Sequence, residues 1–170
     1  MKRRVTQTGT RLKVTGDADS IRRFLETVTL EDGDISIMNT NIPIEGPSTE
    51  QVETWGASFG DYSNRVVYQT DTEVIFEFWS YYDPLIKGLA SISMLYPSLT
   101  FTGAYMTTIG FTLGSYIIRN GTIESFIQVS PETTPMMMKF RSNWDDKTQE
   151  SWFDHAEEFV EEFVGLPISA

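Results

Sequence analysis

The chain is expected to fold as an α+β domain of the ferredoxin-like βαββαβ type, extended by a β-hairpin and an acidic C-terminal helix. Three observations predict this. Period-two and period-3.6 apolar patterns alternate along the chain in the order strand, helix, strand, strand, helix, strand. An Asp-Pro pair opens the second helical stretch, and an Asn-Gly pair sits between two later β-rich runs.

The first strand is TRLKVTGD, where Leu12 and Val14 alternate with Arg11 and Lys13 and Gly16 ends the run. Asp17 or Asp19 then caps a helix whose Ile21, Phe24, Leu25 and Val28 recur at spacings of three and four. Periodicity fails from Thr29 to Asn64, which is rich in Gly, Pro, Asn and Ser. A stretch this long in a compact domain is a functional loop or contains short elements. Arg65 to Gln69 and Val74 to Trp79 form a hairpin around Thr70-Asp71-Thr72. Within its second strand, Val74, Phe76 and Phe78 share one face, while Ile75, Glu77 and Trp79 share the other. Asp83 and Pro84 start a helix carrying Leu85, Leu89, Ile92 and Tyr96, which Pro97 stops. A strand from Leu99 to about Met106 follows. The hairpin of Phe111 to Arg119 and Thr122 to Val129 turns at Asn120-Gly121, where both positions must accept positive φ. After the connector PETTPMMMKF, Asp145 or Asp146 opens the last helix, at about 146–164. It has an apolar stripe of Trp152, Ala156, Phe159 and Phe163. Residues 1–170 read as one domain with its core at about 10–130.

At 40% hydrophobic residues the chain can bury a core without staples, and the absence of cysteine excludes disulfides, thiolate metal sites and cysteine nucleophiles. The basic start MKRRVTQTGTRLKV has no apolar run behind it, and no stretch approaches a membrane span, so a soluble cytoplasmic protein is expected. Net charge is -11, unevenly spread. Residues 1–23 hold seven basic side chains against two acidic, a net of +5, which leaves -16 on the other 147. Phosphate contacts need Lys and Arg, so direct nucleic-acid binding is not expected of this acidic body.

No Gly-rich phosphate loop, nucleophile elbow, HExxH or EF-hand pattern occurs, and the sole histidine, His155, sits between Trp152 and Phe159 where packing explains it. Adjacent carboxylates such as Asp145-Asp146 on an exposed helix are solvated, and calcium needs six to eight oxygens from a bent loop, so EDGD, Glu31 to Asp34, is the better of two weak metal candidates. No catalytic residue, metal or cofactor is therefore assigned. Two groups can bind a partner. The carboxylates Glu150, Asp154, Glu157, Glu158, Glu161 and Glu162 would present negative charge to a basic groove. The rings of Trp55, Trp79, Tyr81 and Tyr82 would form an aromatic surface or pocket.

Four fragments, VTGDADSIRRF, TWGASFGDYS, VIFEFWSYYDPLIKGLASISMLYPSLTFTGAY and GFTLGSYIIRNGTI, resemble in that order the YubB-like (Api92-like) ferredoxin-like family of phages and plasmids. Trp55-Gly56 takes the place of the family's Trp-Gly motif. Trp79-Ser80, Pro84, Pro97, Leu99, Phe101 and Gly114 match its aromatic-Ser-Pro, P-x-L-x-F and Gly-rich hairpin positions. The resemblance covers about residues 10–130. It departs where Tyr81-Tyr82-Asp83 is inserted before Pro84, and where Met106-Thr107-Thr108 stands in place of the acids the family often carries. It implies a mobile-element accessory protein and transfers no activity to particular residues.

The function these readings predict is non-enzymatic: an accessory protein that binds a host protein, inhibiting a defence or nucleic-acid enzyme through its acidic surface. One rival is a nucleotide-binding protein or enzyme that stacks its ligand on the aromatics. The other is a homo-oligomeric or virion component assembled through the sheet.

Overall fold

The computed structural model describes residues 6–107 and 112–129. They form an α+β unit: six antiparallel strands, β1 (Gln7–Thr15), β2 (Tyr62–Gln69), β3 (Glu73–Tyr81), β4 (Thr100–Thr107), β5 (Leu113–Arg119) and β6 (Thr122–Val129), with four helices, α1 (Ala18–Val28), α2 (Met38–Asn41), α3 (Ser48–Trp55) and α4 (Ile86–Leu95). The strand order is β2-β3-β1-β4-β5-β6.

Strand β1 lies in the interior of the sheet, paired with β3 on one edge and β4 on the other. Its alternation divides the two faces. Leu12 and Val14 align with Phe76 and Val74 across β3, and Val14 with Phe101 across β4; all are buried on one side. All four helices send their buried residues into the core on that side: Ile21, Phe24 and Val28 from α1, Met38 from α2, Trp55 from α3, and Leu89 and Ile92 from α4. At its centre the Phe24 ring meets Phe76, Tyr96 and Phe101 edge-on, with centroids 5.1 to 6.0 Å apart.

The side chain of Asp17 caps α1 by accepting from the Ser20 N–H at 2.9 Å, and that bond holds its carboxyl down at about 2. The Asn120-Gly121 turn has φ of 45° and 78°, as the hairpin requires. Two expectations change. Asp83 and Pro84 lie ahead of the helix rather than at its first position: the Asp83 carboxylate accepts from the Leu85 N–H at 2.7 Å and from the N–H of Ile86, Leu85 takes a left-handed φ of 65°, and α4 begins only at Ile86. The carboxylate therefore closes a turn that leads into the helix. The non-periodic stretch also contains structure, namely α2, α3 and a Thr29–Ile35 bridge. The C-terminal helix expected at about 146–164 lies outside the described residues.

Strands β4 and β5 join through two reciprocal pairs, Gly103 opposite Tyr116 and Tyr105 opposite Gly114. Each tyrosine lies across the other strand's glycine, where a Cβ would run into the ring. Gly103→Ala must therefore displace the fully buried Tyr116. We expect it to cost about 1–3 kcal/mol, as overpacking does. Urea unfolding checks this, and an unchanged midpoint would show that the ring has room to move.

Candidate functional site

The end of β3 and the insert between α1 and β2 meet at one corner of the sheet. In EFWSYYDPLI, alternation puts Phe78 and Ser80 on the helix side and Trp79 and Tyr81 on the other; Trp79 pairs with Gly9 and Tyr62, and Tyr81 with Gln7. The Tyr81 ring lies 5.1 Å from Tyr62 at a 31° tilt and meets Phe59 edge-on at 6.0 Å. The Tyr62 hydroxyl accepts from Gln7 Nε2 at 2.9 Å. Burial, with Tyr81 beside it, pushes its pKa up to about 12. At the rim Phe59 is 70% exposed and Tyr82 63% exposed.

Both exposed rings sit on left-handed backbone, with φ of 66° at Phe59 and 62° at Tyr82. An L-residue there costs roughly 1–2 kcal/mol, so surrounding bonds must hold it. Tyr82 donates its N–H to Thr6 O at 3.0 Å, and its carbonyl accepts from Thr8 Oγ1 at 2.8 Å. Ser80 Oγ donates to Asp83 O at 2.6 Å, which closes the same turn. The Phe59 N–H donates to Gln51 Oε1 on α3 at 3.0 Å.

The insert is held by long-range polar bonds. Asp61 accepts the Ile37 and Met38 N–H groups at 2.7 Å each, Trp55 Nε1 donates to Ile42 O at 3.0 Å, and Tyr96 OH donates to Asn41 Oδ1 at 3.0 Å. Residues 24–64 contain no Lys or Arg. Glu31, Asp32, Asp34, Glu45, Glu50 and Glu53 all stand exposed there. Asp32 caps its own turn by accepting the Asp34 N–H, and among the described residues no group of three or more metal-ligating side chains converges.

The sheet face away from the helices carries an ion cluster. Glu77 is 1% exposed and lies between two arginines: Arg11 Nε donates to its Oε1 at 3.0 Å and Arg65 Nε to its Oε2 at 2.6 Å. Their Nη2 atoms approach the same two oxygens at 2.5 Å.

The structure does not gather the four predicted aromatics. Trp55 is buried in the helix-side core, Trp79 and Tyr81 are partly buried on the opposite face, and Tyr82 stands out at the turn. Phe59 and Tyr62 complete the ring group instead. Both lie in the non-periodic WGASFGDYS, where periodicity does not give side-chain direction; the flanking Gly56 and Gly60 were the available sign of a shaped turn. The carboxylates Glu150, Asp154, Glu157, Glu158, Glu161 and Glu162 lie outside the described residues.

No protein-family model matches the chain, and no curated protein does. Among solved structures it is similar to protein api92 from Yersinia pseudotuberculosis (family model DUF1281). The TM-score is 0.54 at 9% identity, over 75% of this chain and 99% of the other. The chain thus has an api92-like fold. Among the described residues no helix is long and apolar enough to cross a membrane.

Glu77→Gln leaves Arg11, itself mostly buried, facing a neutral amide, and should cost about 3 kcal/mol in denaturant unfolding; a loss under about 1 kcal/mol would mean that solvent already screens the cluster. Burial raises the Asp61 carboxyl above its ordinary range despite its two N–H bonds. The folded state then holds this proton more tightly than the unfolded chain. The contribution to stability is complete below the ordinary carboxylate range and declines as pH rises through the higher folded value. Asp61→Asn should therefore flatten the fall in stability between about pH 4 and the folded pKa, measured as unfolding midpoints across pH. An identical slope in both proteins would assign the titration elsewhere.

Proposed function

We propose that this chain is a non-enzymatic binding protein, a phage or plasmid accessory factor that grips a host protein at the Phe59–Tyr81–Tyr82 corner. The observation that carries the reading is that two exposed aromatic rings are held on strained backbone beside a Lys- and Arg-free insert. Strain at an exposed position does not aid folding, whereas exposed rings framed by charge are what an interface uses. The exposed carboxylates of the insert favour a basic partner surface and disfavour phosphate. The mobile-element setting rests on the sequence resemblance alone, and the likeness to api92 supports the fold.

The inner order β2-β3-β1-β4, with α1 following β1 and α4 following β3, supports a ferredoxin-like unit onto which β5 and β6 add at the β4 edge.

Glycine relieves left-handed strain and removes the ring, so it separates folding from binding. Phe59→Gly with Tyr82→Gly should leave stability unchanged or raise it by up to about 1 kcal/mol. The same change should weaken binding of the partner at least tenfold. Captures from bacterial lysate with the two proteins, followed by titration of the protein that differs, check both halves. A partner bound equally by both would overturn the reading.

A further inference from the structure

We infer that the apolar stripe of residues 146–164 of this chain packs on the sheet face opposite the helices. Ile75, Ala104, Met106 and Leu113 are 3%, 1%, 0% and 1% exposed. None of the four belongs to the helix-side core. By register they lie on the other face: Ile75 aligns with Lys13, Ala104 with Arg11, and Met106 with Gly9 and Leu113. All four described helices are committed to the first side, and methionine and leucine on an uncovered sheet would be wet. Something else covers them.

The remaining chain offers residues 1–5, 108–111 and 130–170. The first two are too short to span a six-stranded face. Within the third, Pro131 and Pro135 interrupt the beginning, and Trp152, Ala156, Phe159 and Phe163 supply an apolar stripe further on. A helix over 146–164 would be ~28 Å long, against ~24 Å across six strands. Charge agrees as well. Arg11, Lys13, Arg65 and Arg119 lie on this face by alternation; each is already paired with Glu77, Glu73 or Glu124, but the Arg65 and Arg119 side chains remain 64% and 52% exposed, and residues 130–170 hold nine acidic side chains against three basic. The occupant is thus the chain's own tail, with its rings over Met106 and Leu113 and its flanking carboxylates beside the exposed heads of Arg65 and Arg119.

The chain has no cysteine, so engineered pairs are unambiguous. Thr102→Cys or Ile117→Cys on the face, combined in turn with His155→Cys, Ala156→Cys or Val160→Cys in the full-length protein, should give an intramolecular disulfide in at least one pair under mild oxidation at low concentration. In the unaltered protein, the Met106 methyl should show nuclear Overhauser contacts to the Trp152, Phe159 or Phe163 rings, which keeps the test open if a cysteine pair fails to fold. Disulfides only between chains would overturn the inference in favour of a second copy. So would the absence of both disulfides and ring contacts.

Discussion

The rest of the structure depends on β1 being hydrogen-bonded along both edges. A strand paired on each side cannot slip by one residue without exchanging its faces along two neighbours at once. With β1 fixed, Leu12 and Val14 commit one side to the helices, while Arg11 and Lys13 commit the other to charge. The Glu77 cluster is a consequence of that register. Glu77 lies opposite Arg11 on β3's inner edge and opposite Arg65 on its outer edge, so one carboxylate joins three strands on the polar face. Such a cluster contributes less to net stability than an apolar patch of the same volume, but a slipped strand would leave its charges buried and unpaired.

How much of this was legible in the sequence depended on the range of the interactions. Short-range chemistry could be read directly: Asp17 capping α1, the Asn120-Gly121 turn, and the alternation of Val74, Phe76 and Phe78 all rest on neighbours within a few residues. The insert could not be read in that way. Helix α2 is four residues long, and Asp61 bonds its start from more than twenty residues downstream. No local periodicity encodes a helix of one turn. Asp83 shows the same limit at closer range. Asp followed by Pro has the residue types of a helix start, but Ser80 Oγ and the left-handed Leu85 draw the chain into one more turn first. The candidate site was legible in part for the same reason. Tyr81 and Tyr82 stand out as aromatics in a strand-to-helix junction, whereas the exposure of Phe59 depends on its own φ and on a bond from its N–H to Gln51.

That corner also shows how the fold carries strain. Phe59, Ser63, Tyr82 and Leu85 all have positive φ and occur where the insert enters β2 or where β3 leaves the sheet. Left alone, each would relax. Tyr82 is held by bonds of its backbone to Thr6 and Thr8, Phe59 by the bond from its N–H to Gln51, and Leu85 by its burial in the helix-side core and its bond to Asp83. The rings at the rim are therefore presented by backbone with little freedom, so a partner that takes them loses little ordering entropy on binding.

The charge layout ties the two surfaces together. The strand arginines and lysine lie on one face, paired with carboxylates of the sheet, and the exposed heads of Arg65 and Arg119 can take a further anion, of which the nearest in effective concentration is the chain's own tail. The sheet's basic groups are already paired with Glu77, Glu73 and Glu124, so with that face filled the potential a partner would meet comes from the carboxylates of the insert that contains Phe59. Nucleic acid would then meet negative charge at the exposed corner and a covered face behind it. A basic protein surface would be attracted to the corner by charge and retained by the rings, so that steering and grip come from different residues.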